Sequence, residues 1–374
     1  MSIQTMISAA SGVIETPDLW ERRLPTKFSD ICPRLVETAE GFAWVAAGKM
    51  GKTLTYSGLP PETGAGRLRR SDVASYASPE GRKWIQGRDG VNAEVLYSLG
   101  DVWDLVNASD DREFINAVYR GYNDWIAELS RTDPERFIGI AKIPTSGIED
   151  ATKELVRASK ELGLRGACLD RWPGGAKTPP AAKTCDSFWE AAASLNMPIS
   201  IYRPLNGSTE ELGDAPEFVQ DIVAIMYANV FDRFPDLKVV AVSPTTGWAP
   251  HMFESMNEGY MRTANLRKVS LGDPDLLPSD YLRRFVWFTN QEDRTGLLNR
   301  TYFGSAHLMW ASFAFLPQSV WPNTRQLFER LSAGIPEPER EVLASQVASR
   351  LYGLGSAQPF TKDEQHEYLR YGLL

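Results

Sequence analysis

The sequence predicts a (β/α)8 barrel, an α/β fold, on three observations. Short apolar runs alternate with amphipathic helical segments along most of the 374 residues. The first run, residues 6–10, stops at Ser11-Gly12 and opens into a loop. Neither GxGxxG nor a phosphate loop favours an open dinucleotide-binding sheet.

Taken in order, the elements begin with that strand. Residues 21–90 then form an insertion, with a hairpin of residues 43–46 and 53–56 about Gly48 and Gly51. Residues 58–89, rich in Gly, Pro and Arg, read as a long loop with one helical turn. Such an insertion is expected to cover the active site or to build a homodimer contact. From Val91 the alternation is regular. Strands are expected at residues 93–97, 137–142, 166–169, 198–201, 238–242, 285–289 and 308–311. Helices follow at about 111–130, 148–162, 187–195, 216–234, 248–265, 294–300 and 322–333. Eight strands in one domain, residues 1–374, close a barrel, and residues 355–374 form a C-terminal tail.

Composition narrows the function classes. With 43% hydrophobic, 24% charged and 11% aromatic residues, the chain is an ordinary soluble globular protein. A net charge of −8 and a pI near 5.2 argue against nucleic-acid or anionic-membrane partners, which need a basic face. The run Arg67-Leu68-Arg69-Arg70 reads as a solvated loop. No basic-then-apolar leader opens the sequence and no apolar run approaches the roughly 18 residues of a membrane span, so a cytoplasmic protein is expected. Cys32, Cys168 and Cys185 are odd in number and lack CxxC spacing, which suggests neither disulfides nor a thiolate metal site. The sequons at Asn107, Asn206 and Asn299 are therefore taken as chance matches.

Several landmarks fall in a recognisable order. They are Glu15 with Pro17-Asp18-Leu19-Trp20, Asn123-Asp124-Trp125, residues 133–139 and Leu162-Gly163-Leu164-Arg165-Gly166. Residues 234–238, Gly247-Trp248-Ala249-Pro250, residues 308–312 and Trp321-Pro322-Asn323 continue the series. In these the chain resembles the amidohydrolase-related family that includes aminocarboxymuconate semialdehyde decarboxylase. The resemblance implies a barrel with a divalent metal. Two ligands on strand one, a His ending strand five and an Asp ending strand eight hold it, and a His or Glu ending strand six moves protons.

Matched position by position, this chain offers Ala10 and Gly12 on strand one, Tyr202 on strand five, Ser243 on strand six and Phe313 on strand eight. Leu316 stands where a further His is common. None of these holds zinc well. The three histidines, His251, His307 and His366, are not paired at ligand spacing, and His307 precedes strand eight at the stability end. No catalytic metal and no cofactor are expected.

Phe313, Phe315, Leu316 and Tyr202 then predict an apolar, aromatic-lined pocket for a hydrophobic, conjugated or polycyclic small molecule. The catalytic candidates are Glu15, Asp170 and Tyr202. The substrate-binding candidates are Lys142, Arg171, Trp172, Arg203, Ser243, Thr245, Asn290, Phe313 and Leu316, with Glu292 beside Asn290. Each has a plainer reading. Glu15 is equally a loop cap or a general base. Asp170 and Arg171 also read as an exposed pair worth under about 1 kcal/mol. Tyr202 either donates a proton or only packs, and a nearby guanidinium would make its phenol more acidic. Ser243 has no histidine close in the chain to activate it.

The first functional expectation is a metal-independent enzyme catalysing elimination or dehydration, isomerisation or cyclisation, as in natural-product biosynthesis. It rests on the loss of the metal that would activate water. The alternatives are a catalytically inactive binding or partner protein on the same fold, and a hydrolase or decarboxylase of the family type. A minor reading keeps magnesium or manganese on Asp170, Glu292 or Glu15.

Overall fold

The computed structural model describes residues 3–39, 41–53, 74, 76–98, 100, 102–173, 182–202, 218–243, 245–267, 270–315 and 319–355. Strand β1 (Ile7–Gly12) is followed by β2 (Arg34–Thr38), β3 (Gly41–Ala46) and β4 (Lys49–Thr53), and then by β5 (Ala93–Tyr97), β6 (Phe137–Gly139) and β7 (Ala141–Lys142). The remainder are β8 (Ala167–Leu169), β9 (Ile199–Ile201), β10 (Val239–Ala241), β11 (Val286–Asn290) and β12 (Leu308–Trp310). β1 pairs with β5 and β5 with β6, and β7 through β12 pair in sequence order, all parallel. β6 and β7 are one stave interrupted at Ile140, whose N–H reaches Leu96 O at 3.1 Å while Ala141 N reaches Gly166 O at 3.0 Å.

The last stave returns to the first. Phe313 N donates to Ala10 O at 2.9 Å and Gly12 N to Ala314 O at 2.8 Å, so the sheet closes into a (β/α)8 barrel. The same seam is stitched by three buried hydroxyls. Ser11 Oγ donates to Ser8 Oγ at 2.8 Å, and Ser312 Oγ lies 2.9 Å from Ser8 Oγ and 2.8 Å from Ser11 Oγ. Buried hydroxyls must find partners, and here they find one another.

The staves read as continuous apolar runs because both their faces are covered. Ile7, Val95, Ile138, Ile140, Val240, Trp287 and Met309 fill the interior, joined by Val347, Ala348, Leu351 and Tyr352 of the final helix (Val347–Tyr352). The outer faces carry the helices, the longest being Arg112–Thr132, whose N-cap Asp111 accepts a hydrogen bond from Phe114 N at 3.0 Å. His307 lies below β12, stacked on Trp287 at 4.4 Å with Nδ1 3.0 Å from Val286 O, and burial depresses its pKa to about 4. No helix among the described residues is long and apolar enough to cross a membrane.

The insertion departs from its sequence reading. Residues 34–53 form a three-stranded antiparallel sheet, β2–β3–β4, with the turn at Ala47-Gly48, both at positive φ. β2 was not expected, and β4 begins at Lys49 rather than Thr53. Expected strand residues 54–56 lie outside the described residues, as do most of the 58–89 loop and residues 356–374 of the tail. Instead of one helical turn, Pro79–Asp89 makes an 11-residue helix, opened by Ser78 accepting from Gly81 N at 3.1 Å and closed by Gly90 at φ +70. Arg82 anchors this helix inside the protein. It grips Glu94 through Nε at 2.7 Å and Nη2 at 2.9 Å and donates Nη1 to Gly12 O at 2.8 Å.

Candidate active site

Barrel enzymes build their sites at the C-terminal ends of the staves. Here a connected set of polar groups occupies the ends of β1, β5, β7 and β8. Glu15, three residues past β1, is buried and takes a short hydrogen bond from the Ser98 hydroxyl. Ser98 directly follows β5, and its Oγ also accepts from Trp103 Nε1 at 2.5 Å. Its carbonyl accepts from Lys142 Nζ at 3.1 Å, and Lys142 in turn donates to Asp170 Oδ2 at 2.6 Å.

Lys142 ends β7 with only 1% of its side chain exposed, and its ammonium sits 4.7 Å from the centre of the Trp103 ring. A buried cation needs paired charge and ring faces of this kind. Its backbone is fixed by Asn123, which accepts from Lys142 N at 2.8 Å and donates to Lys142 O at 2.9 Å. Asp170 is the wetter partner, with 12% of its side chain exposed, yet its second oxygen, Oδ1, is buried without a hydrogen-bond partner.

Burial raises the Glu15 pKa, more than the Ser98 hydrogen bond and the Lys142 charge lower it. The group is thus biased toward its neutral, proton-carrying form. From sequence Glu15 reads equally as a loop cap or a general base, and a raised pKa favours the proton-carrying form over the base.

Other candidates sit elsewhere. Asp170 and Arg171 do not pair: Asp170 turns inward to Lys142, and Arg171 turns outward to Asp104 at 2.6 Å with half its side chain exposed. Adjacent residues past a strand point in opposite directions, which the spacing alone could not resolve. Arg171 makes a surface ion pair with Asp104, not a pair with Asp170. Lys142, a substrate-binding candidate from sequence, is buried.

Tyr202 is buried in the interior cluster with Ala10 and Phe313. Its phenol is pushed up by burial, then by Cys168 and Asp170, the reverse of the acidification expected from a guanidinium. Trp172 stacks on Trp189 at 5.3 Å. Thr245 is exposed, and Ser243 Oγ accepts from Thr245 N at 3.3 Å, bracing a turn. Asn290 is fully buried, its Nδ2 bound to Thr246 Oγ1 at 2.8 Å and its Oδ1 without a partner. Arg203 and Leu316 lie outside the described residues.

Phe313 and Phe315 both adopt positive φ, +49 and +66, right after β12. Bulky side chains rarely tolerate this conformation, and such strain gathers at functional ends. Phe313 is wholly buried, and Phe315 packs with its ring centre 5.1 Å from the Arg82 guanidinium. Phe313 and Tyr202 are thus packed into the interior cluster itself, and Phe315 is buried beside Arg82.

Sequence reasoning missed Ser98 and Trp103. Ser98 immediately follows the second stave, where the strand-end rule already points.

Residues 101–242 match the amidohydrolase family model, described as "Amidohydrolase", across staves three to six. Over these residues the chain is similar to the amidohydrolase-related family. It is 29% identical over 152 residues to gamma-resorcylate decarboxylase of Polaromonas sp., covering 36% of this chain and 47% of that protein. It is 27% identical over 187 residues to 2-amino-3-carboxymuconate-6-semialdehyde decarboxylase of Dictyostelium discoideum, covering 46% and 50%. The chain therefore spans about half the length of the curated relatives it matches.

Among solved structures, 5-carboxyvanillate decarboxylase from Sphingomonas paucimobilis superposes with TM-score 0.67 at 18% identity over 94% of this chain and 99% of that one. An amidohydrolase from Mycobacterium avium subsp. paratuberculosis gives TM-score 0.71 at 15% identity over 95% and 99%. A dihydroxybenzoic acid decarboxylase from Polaromonas, TM-score 0.61 at 20% identity over 95% and 98%, carries bound manganese and 2-nitroresorcinol. These likenesses support the barrel.

The residues of this chain do not fit such a metal. Ala10 and Gly12 have no side-chain donor, Phe313 is apolar, and Tyr202 and Ser243 present neutral hydroxyls. Asp170 is engaged by Lys142, Glu15 by Ser98, and Glu292 is exposed. Among the described residues no group of three His, Cys, Asp or Glu comes together.

Proposed function

We propose that this chain is a lyase that removes carboxylate from an aromatic or conjugated acid, using its own buried acid and base groups in place of a metal. The observation that carries the reading is the linked set Glu15, Ser98, Lys142 and Asp170 at the stave ends. The relatives named as decarboxylases weight decarboxylation above elimination, isomerisation or cyclisation, which the same groups would also serve.

Loss of CO2 requires a sink for the electron pair left behind and a proton for the carbon. Glu15, whose pKa burial raises, is the group we assign to donate that proton. The Lys142 ammonium supplies positive charge in a dry setting, where it stabilises developing negative charge far better than in water. Asp170 orients Lys142 and leaves Oδ1 free to accept from a substrate hydroxyl.

The test is CO2 release from a panel containing 2,6-dihydroxybenzoate and 5-carboxyvanillate, before and after chelation. Turnover that persists after chelation and is lost in Glu15→Gln and Lys142→Met supports the reading. Turnover that follows added manganese would overturn the metal-free part. Ligand binding without turnover, unchanged in Glu15→Ala and Asp170→Ala, would favour the binding-protein alternative.

A further inference from the structure

We propose that Lys142 is a covalent catalyst that forms an imine with a carbonyl substrate, which makes a 3-oxo acid or its vinylogous equivalent the substrate class. The inference deepens the lyase reading and rests on it for the reaction that follows imine formation.

The geometry supplies each part that amine catalysis needs. Lys142 ends a stave, so its amine is held on a rigid element, and it is enclosed by Trp103, Ser98 and Asp170. Lysine nucleophiles work in such desolvated settings, with a neighbouring group to take the proton. Asp170 Oδ2, 2.6 Å from Nζ, is that group. Its unpartnered Oδ1 can accept a hydrogen bond from the carbinolamine. The more exposed side of the pair is Asp170, so the carbonyl approaches from there. Ser98 ties Glu15 to the same ammonium, its carbonyl holding Nζ and its hydroxyl holding the carboxyl.

The chemistry balances with no co-reactant other than one proton from solvent. Asp170 takes a proton from the ammonium, and the amine lone pair forms a C–N bond to the carbonyl carbon. The oxygen is protonated and leaves as water, so Lys142–NH3+ and C=O become Lys142–NH+=C and H2O. The C–CO2 bond then breaks, its electron pair moving toward the iminium nitrogen to give an enamine and CO2. Glu15 protonates the enamine carbon, the water hydrolyses the iminium to release the ketone and return the ammonium, and Glu15 takes back from solvent the one proton that the reaction consumes. An iminium is an electron sink that asks nothing of Ala10, Gly12, Tyr202 or Phe313.

The experiment is borohydride reduction of the full-length protein with acetoacetate or acetone, read by intact-mass and peptide mass spectrometry. The expected result is a mass gain equal to that of acetone less its oxygen, located on Lys142. It should be absent without the carbonyl and absent in Lys142→Arg with an unchanged circular dichroism spectrum. No adduct on the wild-type protein, or an adduct persisting in Lys142→Arg, overturns the proposal. If Lys142→Arg fails to fold, the position of the wild-type adduct decides alone. Adduct without decarboxylation keeps the imine and removes the lyase reading. Decarboxylation without adduct does the opposite.

Discussion

Arg82 and Glu94 meet in a two-pronged ion pair inside the protein, with 2% of either side chain exposed. Gln86 Nε2 adds a contact to Glu94 Oε2 at 3.0 Å, and the third Arg82 nitrogen holds Gly12 O. Removing one partner strands the other charge, so Glu94→Ala is expected to cost about 3–5 kcal/mol in denaturant unfolding. The double variant Arg82→Met with Glu94→Leu should lose much less than either single change, because the cost lies in the orphaned charge.

Asp89, on the same helix, accepts from Thr324 N at 2.8 Å, and burial lifts its carboxyl from 3.8 to about 6. A group whose folded pKa is raised stabilises the fold below its unfolded pKa and loses that contribution as pH rises through the folded one. Relative to Asp89→Asn, the wild-type protein should lose roughly 3 kcal/mol between about pH 4 and pH 6. Thermal melts of both proteins across this range check the sign. A wild-type protein that gains on the variant with rising pH would contradict it.

The Ser98 hydroxyl favours the charged form of Glu15. In Ser98→Ala that help disappears and the Glu15 pKa should climb further. If protonated Glu15 is the working acid, activity falls as pH rises through its pKa, and the variant's falling limb moves to higher pH. The carboxylic C=O infrared band of Glu15, absent in Glu15→Gln, should persist to correspondingly higher pH even without turnover.

Phe313 fills the end of the barrel without exposure. Phe313→Ala should therefore cost about 3–5 kcal/mol by denaturant titration. Chelation should leave the melting temperature of the wild-type protein unchanged, since no side chain at the family's ligand positions grips an ion.

The staves were legible because residues covered on both faces are written as unbroken apolar runs, such as Val239-Val240-Ala241. β2 was not, because Arg34, Glu37 and Thr38 dilute its apolar signal on a sheet exposed along one side. The helix at Pro79–Asp89 hid behind Gly81, Gly87 and four basic or amide side chains, and tertiary capture of Arg82 and Ile85 outweighs that poor propensity. The strand-end rule found Glu15, Lys142 and Asp170. It could not show that Lys142 bonds Asp170 rather than solvent, since 28 residues separate them and direction past a strand is set by packing. Nor could it show that burial pushes the Tyr202 phenol up.

The serine stitch joins positions 304 residues apart, Ser8 and Ser312. A chain emerging from the ribosome carries its first stave exposed on one edge until nearly all of the barrel has been made. Closing so long a loop costs only logarithmically more than closing a short one, yet it cannot begin early. Synthesis thus leaves an unpaired strand waiting for its mate, and any stall before residue 312 presents the cell with an open edge ready to pair with another chain.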